Sequence, residues 1–233
     1  MKRFYKDVTV SAQGDGWQVE LDGRPIRTAG RKPQVVPTIA LADALAAEWR
    51  AQGETIQLAA FVFRDLADSA IDIVGGDREG SIADCLRYAE SDTLCYRAEP
   101  DEPLAIRQRA LWDPLLEEVE TRHHVRFERV VGILHRPQPA TTLAAMRAAV
   151  TALDDFALAS LRVTANLSAS LVIGLAALAP DADAEHLWSA ANLEEDFQAE
   201  KWGTDAEAQA HRAARFTLFE NAIRFARLSR PGA

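Results

Sequence analysis

The chain has 233 residues, 48% hydrophobic and 26% charged, with a formal net charge of −9. This size suits one large domain or two small ones of an ordinary folded protein, and the acidic balance argues against non-specific nucleic-acid binding, which needs a basic face. Forty-three alanines against 7% aromatics favour closely packed helices over a β-sandwich.

The first 36 residues read as strands. Val8 and Val10 alternate with polar residues, Gly14-Asp15-Gly16 marks a turn, and Trp17, Val19 and Leu21 alternate again. Asp22-Gly23 is the strongest hairpin signal in the chain, which makes Arg24-Pro25-Ile26-Arg27 a returning third strand. Such a meander needs a helix to cover one face. Pro37-Thr38 supplies a helix start with Thr38 as N-cap, and Leu41, Leu45 and Trp49 follow at i, i+4 and i+8 on one face, with Gly53 as the stop. The packing reading of Trp49 is a core residue against the sheet.

From about Phe61 the helical period dominates. Helices are expected over 64–74, 78–89, 102–122, 142–156, 159–179, 184–202 and 206–228. Pro114 starts a new helix within the third or kinks it. Residues 125–134 alternate weakly and read as a strand or extended loop. The fold class is therefore α+β: a strand-rich N-terminal domain with one covering helix over residues 1–60, then a larger all-helical domain over 61–233.

The longest uncharged run, 163–180, contains Thr164, Asn166, Ser168, Ser170 and Gly174. It is too short and too polar for a membrane span, so a buried helix is expected and no membrane insertion. The amino terminus has no apolar stretch for a secretory signal, and Asp7 interrupts any basic presequence. Between 154 and 209 stand 11 acidic residues against Arg162 and Lys201, followed by a tail carrying Arg212, Arg215, Arg224, Arg227 and Arg230. That contrast implies internal pairing, a polarised binding surface or simply a solvated face.

Several chemistries lack their residues. No phosphate loop, dinucleotide fingerprint or nucleophile elbow is present. The five histidines, His123, His124, His135, His186 and His211, include no i, i+4 pair, so no metal site and no cofactor are expected. Cys85 and Cys95 make no disulfide framework, suggest a reducing compartment, and read as buried thiols. Glu194-Glu195-Asp196 is dense in carboxylates, but helix neighbours diverge by about 100°, which does not aim two of them into one cleft.

One stretch, 193–203, combines recognition chemistry. On a helix, Glu194, Gln198 and Trp202 form a stripe with Glu195 beside them, next to the apolar pair Leu193 and Phe197. An aromatic anchor with carboxylates and an amide selects basic partners or exposed backbone N–H groups. A helix edge with Trp202 tucked into the core fits the same residues.

Five segments carry a resemblance: VVPTIALADALAAEWRAQ (35–52), SDTLCYR (91–97), WDPLLE (112–117), SLVIGLA (170–176) and LEEDFQAEKWG (193–203). In this combination and order the chain resembles the ATP synthase assembly chaperone family of the ATP-twelve type, which holds the alpha subunit of the catalytic head. The resemblance implies a non-enzymatic, ATP-independent chaperone that masks the apolar subunit interface of the free alpha subunit and hands it on. It also implies partner contact by Glu194, Glu195, Gln198, Trp202 and Trp49, while Trp112, Asp113 and Pro114 match family positions that serve structure as readily as contact. The missing presequence points to a bacterial, cytoplasmic relative of a mitochondrial family, and a monomer is expected. Two rival readings remain: a hydrolase using Cys95 with His123 or His135, and a helical small-molecule binder with an enclosed apolar cavity.

Overall fold

The hairpin expected at Asp22-Gly23 opens the fold in a computed structural model that describes residues 1–203 and 205–232. Strand β1 (Val8–Gln13) pairs antiparallel with β2 (Gly16–Leu21), Val8 facing Leu21. Asp22 and Gly23 both adopt positive φ, 50° and 75°, as a tight turn between right-twisted strands requires. The Asp22 carboxylate also accepts from the N–H groups of Lys6 and Asp7, which holds its pKa below the usual value. On its other edge β2 pairs with two short strands, β3 (Arg24–Pro25) and β4 (Val35–Val36). Gly16 permits the β4 contact, since a Cβ there would stand 2.7 Å from the Val36 carbonyl oxygen.

Helix α1 (Ile39–Arg50) covers this sheet as its spacing predicts. Thr38 caps it by accepting from Leu41 N at 3.1 Å. Leu41, Leu45 and Trp49 are buried along one face, each worth roughly 1.5–3 kcal/mol of burial. From the same helix, Glu48 accepts from the Phe63 and Arg64 N–H groups at 2.7 and 3.0 Å, so it serves the start of α2 (Val62–Asp68). The expected helix 64–74 becomes α2 followed by a π-helical segment, Ser69–Val74. Its acids hold the loop before β4: Asp68 accepts from Ala29 N and Gln34 Nε2, and Asp72 from Gly30 N and the Thr28 hydroxyl.

These elements belong to one of two units, made of Met1–Arg78, Asp154–Ser160 and the residues from Arg224 on; the other holds Glu79–Leu153 and Leu161–Ile223. A division between residues 60 and 61 falls inside the first unit, where Phe61 packs on Trp49 with ring centroids 4.5 Å apart.

The second unit is almost wholly helical. Its elements are α3 (Arg78–Glu90, from Glu79), β5 (Tyr96–Arg97), α4 (Pro103–His123), β6 (Val130–Val131) and α5 (Ala140–Thr151). Then come most of α6 (Asp155–Ser168), α7 (Leu171–Ala177), α8 (Ala184–Ala191), α9 (Leu193–Trp202) and most of α10 (Ala206–Leu228). Helix α4 runs through Pro114 as one element, at the cost of one helical hydrogen bond because proline has no N–H to give. The segment 125–134 holds the short β6, which pairs in parallel with β5. Buried Glu120 organises it, accepting from Phe127 N and from Arg126 and Arg129.

Two expected long helices are broken. The run 159–179 ends α6 at Ser168, turns at Ala169 with φ 51°, and restarts as α7 under a Ser170 cap. Left-handed alanine costs on the order of 1 kcal/mol; here its carbonyl accepts from both the N–H and the hydroxyl of Thr93. The run 184–202 is interrupted at Asn192, whose side chain donates back to the Trp188 carbonyl at 2.8 Å. Among the described residues no helix is long and apolar enough to cross a membrane.

Asp92 joins these parts. It is fully buried and accepts from Leu94 N at 3.1 Å and Val172 N at 3.0 Å. Burial outweighs those hydrogen bonds and pushes its pKa up to about 6. The folded carboxyl thus holds its proton more tightly than an unfolded one. Between about pH 4 and pH 6 folding takes up a proton, and this group's contribution falls as pH rises, by on the order of 2 kcal/mol. Asp92→Asn removes the titration. The stability difference between wild type and variant, from urea unfolding at each pH, is expected to shrink from pH 4 to 6.5; a constant difference contradicts the assignment.

Candidate functional site

Helix α9 places the residues singled out at 193–203. Its first turn carries Glu194, Glu195 and Asp196, a favourable position for negative charge at a helix start, and Lys201 lies in its last turn. Gly203 ends it with φ 80°. Leu193 is buried and anchors the helix.

The neighbouring helices decide which acids are committed. Gln108 of α4, fully buried, donates to Glu194 at 2.8 Å and accepts from Ala98 N at 2.8 Å, so its amide is engaged on both sides. Arg107 makes a two-pronged pair with Glu200 at 2.7 and 2.8 Å, which raises the arginine's pKa and lowers the glutamate's. Two cations approach the Phe197 ring, Arg107 at 5.2 Å and Lys201 at 4.1 Å from its centre. Asp196 pairs with Arg212 of α10.

Three of the residues predicted to meet a partner stay uncommitted. Among the described residues, no side-chain hydrogen bond or ion pair within 4 Å engages Glu195, Gln198 or Trp202, although the Arg212 guanidinium that pairs with Asp196 also feels the Glu195 charge. Their spacing of i, i+3 and i+7 puts them on one exposed strip, and Trp202 is 78% exposed. The expected stripe of Glu194, Gln198 and Trp202 is therefore rotated by one position: Glu194 turns to Gln108, and Glu195 takes its place.

Trp49 lies elsewhere. It is 8% exposed in the core of the first unit, edge-on to Tyr5 at 5.5 Å. Trp112 is fully buried and donates to the Ala190 carbonyl at 2.8 Å. Asp113 accepts from Arg97 at 2.7 Å. Cys85 and Cys95 are buried free thiols; burial pushes the first up to about 12 and the second higher still, which leaves both as poor nucleophiles. No group of three or more His, Cys, Asp or Glu side chains among the described residues is placed to hold a metal ion. Of the tail arginines, Arg212 meets an acid, Asp196, while Arg215 donates to the Leu167 carbonyl and lies over the Trp188 ring.

Gln108 and Arg107 lie outside the residues the sequence pattern singles out. Gln108 had a signal: it shares the buried stripe of Ala105, Trp112, Leu116 and Val119, where a polar residue must find partners. Arg107 had none, because its role depends on where α9 packs.

Comparison with known proteins bears on the whole arrangement. The family model described as "ATP12 chaperone protein" matches residues 2–120. The protein atp12, mitochondrial, of Schizosaccharomyces pombe is 24% identical over 219 residues, covering 89% of this chain and 75% of the relative. The crystal structure of Atp12 from Paracoccus denitrificans is 37% identical with a TM-score of 0.93, covering 98% of both chains. A point mutant of the same P. denitrificans protein aligns equally well, at 37% identity and a TM-score of 0.93.

The two kinds of residue at this site should separate in urea unfolding. Trp202→Ala is expected to change stability by less than about 0.5 kcal/mol. Gln108→Leu leaves the Ala98 N–H and the Glu194 carboxylate without their partner and is expected to cost roughly 1–3 kcal/mol. Comparable losses in the two variants would contradict the division.

Proposed function

The chain belongs to the ATP12 chaperone family, and from that premise we propose that it binds the free alpha subunit of the F-type ATP synthase, shields its apolar subunit interface and releases it during assembly of the catalytic head. The observation that carries this reading is the uncommitted strip on α9. Trp202 stands 78% exposed beside Glu195 and Gln198, while the other acids of the helix are used up by Gln108, Arg107 and Arg212.

Such a strip suits transient capture. An exposed tryptophan supplies a large rigid anchor at small entropic cost, and the flanking carboxylate and amide orient it. A subunit outside its hexamer exposes surface that aggregates unless covered. Covering it reversibly calls for a mixed polar and aromatic contact rather than a large dry one. Glu194 supports the strip through Gln108, and Trp49, buried in the first unit, supports the fold. The work proposed needs no catalytic group and no bound nucleotide.

Co-expression with the cognate alpha subunit tests the reading. More soluble alpha subunit and a co-eluting complex on size exclusion are expected; neither appearing overturns it. Trp202→Ala with Glu195→Lys is expected to weaken the complex roughly tenfold or more with unchanged thermal unfolding. An unchanged affinity removes the strip from the interface and leaves the chaperone role.

A further inference from the structure

We propose that a pocket in the first unit, walled by Arg24, Arg27 and Arg64 over an aromatic floor, binds an acidic side chain together with its apolar neighbour on a polypeptide. The pocket encloses about 540 Å³, within the range of about 300–1,000 Å³ typical of ligand sites. Buried Tyr5, Ile26 and Trp49 form its apolar floor, and exposed Phe4 stands at its mouth, edge-on to Tyr5 at 5.4 Å.

The guanidinium donors around it are largely unspent. Arg64 has a side chain only 20% exposed, yet its nearest carboxylates, Asp68 and Asp65, lie at 3.7 and 3.9 Å, beyond hydrogen-bond reach. Its guanidinium lies over the rings of Phe61 at 5.1 Å and Trp49 at 5.9 Å, and no hydrogen bond of its side chain is present among the described residues. Asp68 is itself occupied by Gln34 and Ala29 N. Arg24 makes no ion pair within 4 Å among the described residues, though its charge helps hold the Asp22 carboxyl down, and Arg27 makes one hydrogen bond, to the Arg31 carbonyl at 2.9 Å. The one carboxylate in the lining, Asp22, already accepts from Lys6 and Asp7 N.

A half-buried guanidinium with open donors is a carboxylate receptor, because its fork matches the two oxygens. Two further arginines at the wall, in a chain of net charge −9, concentrate positive potential where an anion would enter. The aromatic floor then takes the apolar group beside the acid. Identification of the polypeptide as the chaperone's client rests on the function proposed above; the chemistry of the pocket does not.

Titration calorimetry with two peptides tests the site. Acetyl-LEFEL-amide is expected to bind at least tenfold more tightly than acetyl-LKFKL-amide. Arg64→Ala should weaken the acidic peptide about tenfold, and Arg24→Glu, at an exposed position that leaves the fold intact, at least fivefold. Equal binding of the two peptides, no binding of either, or an unchanged affinity in Arg24→Glu overturns the site. Binding of free phenylacetate in preference to the acidic peptide overturns the polypeptide assignment. If the acidic peptide binds as expected while the alpha subunit is not held, the site stands and the chaperone reading falls; if the alpha subunit is held and neither peptide binds, the reverse follows.

Discussion

Buried polar groups call for partners, and in the second unit the pairing of a few of them fixes where several neighbouring segments lie. Asp92 shows it most plainly. Its carboxylate is fully buried and accepts N–H groups from Leu94 and Val172, 80 residues apart in the second case. Leaving either N–H unmet in the interior would cost roughly 1–3 kcal/mol. The turn at Asp92 and the start of α7 are therefore held together, and the left-handed turn at Ala169 between α6 and α7 follows from that junction.

The same logic runs through the segments that mark the family. Arg97 of SDTLCYR pairs with Asp113 of WDPLLE. Trp112 of that segment donates to Ala190, just before α9. Gln108 ties Ala98 to Glu194 of LEEDFQAEKWG. Glu48 of the segment at 35–52 serves the start of α2. Most of the residues that identify the chain thus position other residues. The strip of Glu195, Gln198 and Trp202 differs because its side chains make no hydrogen bond among the described residues.

Selectivity among equivalent side chains is the practical result. Four carboxylates sit on α9, and from composition alone they are alike. Gln108, Arg107 and Arg212 engage Glu194, Glu200 and Asp196 directly, so Glu195, which only feels the Arg212 charge at longer range, is left without a side-chain hydrogen bond among the described residues. In the first unit the imbalance is reversed: carboxylates are occupied by backbone N–H groups, while Arg64 keeps open donors. An acidic strip and a basic pocket arise in one chain because backbone groups, which must be satisfied first, consume charges of one sign in different places.

Local chemistry was legible in the sequence. The Asp22-Gly23 hairpin, the Thr38 cap, the buried face of Leu41, Leu45 and Trp49, and the α+β division of strands and helices follow from short-range spacing, and the family is recognised by resemblance in five ordered segments. The first four depend on backbone sterics, on hydrophobic period or on partners within one or two turns. Tertiary structure alone decided the breaks at Ala169 and Asn192, the parallel pairing of β5 with β6, the burial of Asp92 and Gln108, and which acid of α9 accepts from Gln108. Those depend on hydrogen-bond partners tens of residues away, and helical period is blind to them: an alanine-rich run reads as one unbroken helix until a distant Thr93 or Asp92 offers its backbone a better arrangement.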